Sequence, residues 1–212
     1  MNSVVVALQQ LQLALNAEFA DAPGLQQLSC AVTLSDASDA LAWLASQRLY
    51  PQFYWQQRNG DDEIAALGAV CQFDTLDAAR AFIDDYADQP AVRITGVNAF
   101  SPTSSFLFLP RLEWRRIGGD AFLYLNIYSE TSLQDDARVA LQFLEKMLPA
   151  KQLPLQRLNC VGEQHIPTQP EWNQLVDRAI SAIEQHELDK VVLARATDLQ
   201  FTTAVSAAGF MA

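Results

Sequence analysis

The chain has 212 residues, half of them apolar, which is enough to bury the core of one large domain or of one and a half ordinary ones. Fourteen basic against 25 acidic residues leave a net charge of −11, which repels phosphate backbones and anionic lipid surfaces and argues against nucleic acid or membrane partners. Cys30, Cys71 and Cys160 are odd in number and widely spaced with no C-x-x-C pair, so neither a disulfide framework nor a zinc site is expected, and reduced thiols in a cytoplasmic protein are the simplest reading.

The opening stretch, MNSVVVALQQLQLALNAEFAD, has no basic n-region, and Gln9, Gln10 and Gln12 interrupt its apolar run. It therefore reads as neither a signal peptide nor a membrane span. Val4, Leu8, Leu11 and Leu15 instead form the apolar stripe of a helix docked on the domain. A break at 21–24 precedes a strand over 25–34, then a helix from about Asp36 to Gln47, with Ser35 as its cap and Leu41, Leu44 and Ala45 facing inwards. Residues 52–58 alternate as a strand, and Asn59-Gly60 turns it into a hairpin with 63–73. Tyr54 and Trp55 on that strand read as core aromatics rather than ligand-stacking ones.

Thr75 caps a helix bearing Leu76, Ala79, Phe82, Ile83 and Tyr86, which stops before Pro90. Strands follow at 92–97, at 106–114 with a break at Pro110, and at 121–128, with Gly118-Gly119-Asp120 turning the last two into a hairpin. No G-K-[ST] helix follows those glycines, so they are a turn and not a phosphate loop. Arg111 and Arg115 fall on one face and Arg116 on the other, the pattern of a solvated strand rather than a gathered anion site. A helix over 135–148 has Ala137, Leu141, Leu144 and Leu148 inside and ends at Pro149. Hairpins punctuated by single helices indicate an α+β fold, an antiparallel-rich β-sheet layered with helices, occupying residues 1–160.

The stretch from Thr168 to Leu199 is the most informative. Thr168 and Glu171 have capping-box spacing, and Pro170 fits the first turn of a helix, where its missing N–H is not needed. Trp172, Leu175, Val176, Ala179, Ile180 and Ile183 recur at steps of three and four, a stripe that must pack against something. After Leu188, the run Val191 to Ala194 reads as a strand covered on both faces that extends the sheet, with Lys190 at its mouth. A lysine among apolar groups has its charged form disfavoured and can serve as a base; a lysine snorkelling at a strand end is the plainer alternative.

The run AISAIEQHELDKVVLARA resembles the signature of the chorismate-utilising enzymes, a family that includes isochorismate, salicylate, anthranilate and aminodeoxychorismate synthases. PQFYWQQRNG (51–60) and LPRLEWRR (109–116) resemble the amino-terminal half of the family's menaquinone-pathway isochorismate synthases, and the three motifs occur in the same order. The resemblance runs from about Leu41 to the last residue and implies the anthranilate synthase component I-like fold, with 161–212 beginning its chorismate-binding catalytic region. It implies that Lys190 is the general base that activates water for attack on C2 of chorismate as the C4 hydroxyl leaves. It also implies a Mg2+ cofactor, whose glutamate ligands, with a general-acid glutamate, are expected beyond Ala212, so that these residues alone are expected to be inactive. The lysine speaks against the ammonia-using synthases, whereas salicylate synthase shares it; a non-catalytic remnant module is the alternative from a different class. Where relatives place glycine at the end of the helix, this chain has His186, which predicts a left-handed residue there at some conformational cost.

Overall fold

The computed structural model describes residues 3–33, 39–100, 105–153 and 156–211. The chain divides into two compact units, Met1–Leu153 and Pro154–Ala212. Unit 1 contains helix α1 (Ser3–Ala14), strand β1 (Gly24–Val32), α2 (Ala40–Ala45), β2 (Gln52–Gln56), β3 (Glu63–Phe73) and α3 (Leu76–Asp85). It continues with β4 (Thr95–Asn98), β5 (Ser105–Ile117), β6 (Asp120–Ser129) and α4 (Leu133–Leu144). The strands form one antiparallel sheet in the order β1-β6-β5-β3-β2, with β4 pairing the start of β5. This is the expected α+β architecture.

The sheet carries helices on both faces because its strands alternate apolar side chains to both. Leu67, Leu112, Trp114, Leu123, Leu125 and Ile127 meet Val4, Ala7 and Leu11 of α1, Trp43 and Leu44 of α2 and Ala137, Ala140 and Leu144 of α4. On the other face Leu25, Val92 and Leu109 pack with Phe82, Ile83 and Tyr86 of α3 and with Tyr128. Phe82 sits 5.1 Å from the Tyr128 ring and Tyr86 6.1 Å from it, edge-on in both cases. The Trp43 and Trp114 rings lie 5.8 Å apart in the main core.

Helix starts follow the sequence closely. The hydroxyl of Thr75 accepts from the Ala78 N–H at the start of α3, and Ser132 does the same for Asp135 at the start of α4. The described part of α2 starts at Ala40 with Asp39 as its cap, its carboxylate accepting from the Ala42 N–H at 2.8 Å; the expected cap Ser35 lies outside the described residues. Trp43 rather than Ala45 points inwards from that short helix: Trp43 is buried and Ala45 is exposed. Helix α4 ends at Leu144, one turn earlier than expected, and Leu148 follows it half-buried, its N–H bonded to the Gln47 side chain. The strand expected from 92 begins only at Thr95. Of the β2 aromatics, Tyr54 packs against the core and Trp55 is largely exposed.

Two expectations about β5 are overturned. Pro110 does not break the strand, which runs unbroken from Ser105 to Ile117. On one side β5 pairs with β4 as far as Phe108 and with β6 from Leu112, leaving 109–111 without a ladder partner there. The Pro110 carbonyl points to that side, where the Asn126 Nδ2 donates to it at 2.8 Å, and the missing N–H would have pointed the same way, so the ladder loses nothing. The arginines are also not solvated. Arg111 and Arg115 are 6% and 3% exposed. Arg111 donates to both carboxylate oxygens of Asp136 at 2.6 and 2.8 Å and to the Asn126 carbonyl at 2.9 Å. Arg115 donates to both oxygens of Glu113 at 2.7 and 2.8 Å and to the Ala91 carbonyl, and lies 4.3 Å over the Tyr124 ring. Arg116 pairs with Glu63, whose other oxygen accepts from the Tyr54 hydroxyl, and burial together with that bond pushes the phenol far up.

Unit 2 contains β7 (Cys160–Ile166), α5 (Gln169–Glu184), β8 (Ala196–Phe201) and α6 (Ala207–Met211). β7 and β8 form a separate two-stranded antiparallel sheet. The run Val191–Ala194 is not a strand covered on both faces and does not extend the main sheet: it is unpaired, and the strand that follows, β8, begins at Ala196, pairs with β7 and is itself exposed. Helix α5 closes as a Schellman motif, with the Glu187 N–H donating to the Ala182 carbonyl and the His186 N–H to the Ile183 carbonyl. His186 takes the left-handed conformation, φ 60°, as the comparison with glycine predicts.

Arg111→Met leaves the Asp136 carboxylate without its cation and is expected to lower the unfolding free energy of unit 1 by about 3 kcal/mol in a urea titration. Arg138→Met, which breaks the exposed pair with Asp135, is expected to cost under about 0.5 kcal/mol by the same measurement. His186→Gly removes the left-handed penalty, about 0.5–1 kcal/mol, and should slow amide hydrogen exchange in the last turn of α5 by up to about fivefold; faster exchange would show that the histidine is not strained.

Candidate active-site segment

The segment that leads to Lys190 is fixed at its start by α5. The Glu171 carboxylate accepts from the Thr168 N–H and from the Thr168 hydroxyl, both at 2.8 Å, and these bonds hold Glu171 below the usual carboxylate range. At the other end, the Schellman turn through His186, with a further bond from the Leu188 N–H to the Ala182 carbonyl, leads through a bend at Asp189 to Lys190, which lies in no helix or strand. Lys190 is exposed there, and among the described residues no hydrogen bond or ion pair holds it. Val191 is 38% and Val192 81% exposed, so the apolar surroundings expected for this lysine are absent from the described residues.

The stripe on α5 is equally uncovered. Trp172, Leu175, Val176 and Ala179 are half-buried, while Ile180 and Ile183 are 49% and 40% exposed. Across the β7–β8 pair, register places His165 opposite Thr197, and the imidazole Nδ1 lies 2.9 Å from the threonine hydroxyl. Glu163, two residues before His165 and so on the same face, approaches its Nε2 at 3.5 Å. Sequence reasoning missed this Thr–His–Glu row because its signal is cross-strand register, which only the pairing of β7 with β8 reveals. It sits on the surface and joins the two strands; Lys190 is not among its partners.

Among the described residues, no group of three His, Cys, Asp or Glu side chains is placed to hold a metal ion. The described residues thus offer no ready-made carboxylate cluster for Mg2+. Two grooves of unit 1 are lined largely by apolar side chains. One of about 250 Å³ lies among Val4, Leu8, Trp43, Leu144 and Met147, and one of about 570 Å³ among Leu76, Ile83, Val92, Ile94 and Leu107 with Arg80, Arg93 and Asp84 at its rim. No helix of the described residues is long and apolar enough to cross a membrane.

Residues 12–212 match the chorismate binding enzyme family. Over all 212 residues the chain is 49% identical to isochorismate synthase MenF of Escherichia coli (strain K12), of which it covers 49%. Over 184 residues it is 30% identical to isochorismate synthase MenF of Haemophilus influenzae, covering 84% of this chain and 39% of that one. The solved structure of MenF, the menaquinone-specific isochorismate synthase from Escherichia coli, superposes with a TM-score of 0.91 at 48% identity, over 97% of this chain and 48% of that chain. The chain thus spans about half the length of the relatives it matches, or less. With the match continuous through the segment that carries Lys190, the chain belongs to the chorismate binding enzyme family.

Proposed function

We propose that this chain supplies the amino-terminal half of an isochorismate synthase that acts in menaquinone biosynthesis in the cytoplasm. The observation that carries the reading is the 49% identity to a MenF protein over all 212 residues of this chain. The reaction is the isomerisation of chorismate to isochorismate: a water oxygen bonds to C2, the ring double bond shifts, and the C4 hydroxyl leaves as water once protonated.

In this reading Lys190 takes the proton from the attacking water at its Nζ. A lysine can do so only as the neutral amine, a form favoured by burial in apolar surroundings. Lys190 is exposed in this chain, so the step requires walls that residues 156–211 do not provide. The same holds for the Mg2+ ion and the acid that protonates the leaving hydroxyl: their carboxylates would come from the portion of the longer relatives that this chain does not span.

The test is chorismate conversion in the presence of magnesium, followed by separation of isochorismate from substrate. The chain alone is expected to give no turnover, and the chain mixed with the carboxyl-terminal half of the Escherichia coli relative to give measurable turnover. Lys190→Ala should lower the turnover of the mixture by at least about a hundredfold, the scale of lost general-base catalysis. Turnover by the chain alone, or an unaffected Lys190→Ala mixture, would sink the assignment.

A further inference from the structure

Unit 1 holds a groove on which the proposed reaction does not call. It measures about 570 Å³, within the size range of small-molecule sites, and lies between α3 and the segment that enters β4. Its lining follows from the sequence. Leu76, Ala79 and Ile83 recur on α3 at steps of three and four and so share one side of the helix. Residues 92–94 pair with no strand, and Val92 and Ile94 from that segment, with Leu107 of β5, complete the apolar walls.

Arg80 and Arg93 belong to the same groove. The arginines of β5 all end on carboxylates: Arg111 on Asp136, Arg115 on Glu113 and Arg116 on Glu63. Arg80 and Arg93 do not, since among the described residues neither makes a hydrogen bond or an ion pair. Asp77 and Asp84 stand three and four residues from Arg80 on α3, and neither closes a pair with it. Asp84 also lines the groove, which therefore carries two cations and one anion. In a chain of net charge −11, two unpaired guanidinium groups beside an apolar lining form a local exception that suits an anion. A guanidinium holds a carboxylate through a fork of N–H donors, and the apolar walls favour a hydrocarbon body. We propose that this groove binds a small monocarboxylate with an apolar body. Arg80 and Arg93 hold the carboxylate, the hydrocarbon portion lies against Leu76, Ile83 and Ile94, and Asp84 disfavours a second negative charge. The proposal stands on unit 1 alone and does not depend on the isochorismate synthase reading.

The experiment titrates 4-phenylbutyrate into the full, isotopically labelled chain and follows amide chemical shifts. Saturable shifts are expected at 76–84 and 92–94, with a dissociation constant on the order of 1 mM. Arg80→Gln and Arg93→Gln, both at exposed positions, should each raise that constant about threefold, and Asp84→Asn should lower it about twofold. Arg58→Gln, at an exposed position outside the groove, should leave it unchanged. 4-Phenylbutylamine has the same body with the opposite charge and should not bind; this comparison needs no variant. Four results would overturn the proposal: no saturable shift, shifts confined to residues away from the groove, equal binding of the amine, or an affinity indifferent to both arginine substitutions. Shifts at 76–84 and 92–94 that depend on protein concentration without any probe would overturn it as well, because a second copy of the chain would then be the occupant.

Discussion

Unit 1 depends on the side-chain bonds that close its sheet where the backbone ladder stops. β5 changes partner from β4 to β6 along one side, and in the interval the backbone groups of Pro110, Asn126 and Tyr128 have no strand opposite. Buried peptide groups without partners are destabilising by one to several kcal/mol each, so roughly that much is at stake at every one of them. Side chains fill the gap. Asn126 donates to the Pro110 carbonyl and accepts from the Gln27 amide of β1; Arg111 donates to the Asn126 carbonyl; Asp136 accepts from the Tyr128 N–H and from both arms of Arg111. Because Asp136 belongs to α4, the same network fixes the helix that covers the main core.

Gly68 belongs to this arrangement. It lies one residue before the irregularity in β3, between Ala69 and Cys71, and its φ of 68° suits glycine. A Cβ there would stand 2.6 Å from the Phe143 ring of α4, so the close seat of α4 on the sheet requires a residue without one. The glycine's role is legible only once the packing of α4 is known.

What the sequence reveals here depends on how local the physics is. Caps and turns are local, and Thr75, the Thr168–Glu171 box and Asn59-Gly60 sit where their spacing places them. Arg111 and Arg115 read as solvated because strand alternation reports which residues share a face but not what lies opposite. Asp136 is 25 residues from Arg111 in sequence, and the gap that draws the two together arises from β4 and β6. The failure at Val191–Ala194 is of another kind. An apolar run reports a need for burial, and the described chain holds nothing that meets it. Lys190 was therefore singled out by resemblance to a family motif and not by any local pattern that the structure could return.

The antiparallel pairing of β1 with β6 has a consequence for synthesis. Gly24 faces Ser129 and Val32 faces Ala121, so the first strand made is completed by a strand roughly a hundred residues later. At about 5–20 residues per second a ribosome needs on the order of 5–20 seconds to bridge that interval. Throughout it β1 has neither its neighbour nor the floor on which α1 rests, and non-local closure of this type is slow even once the chain is free. The nascent α1–β1 segment therefore spends its early life as an amphipathic helix and an unpaired strand, the stage at which a chaperone would find most to bind.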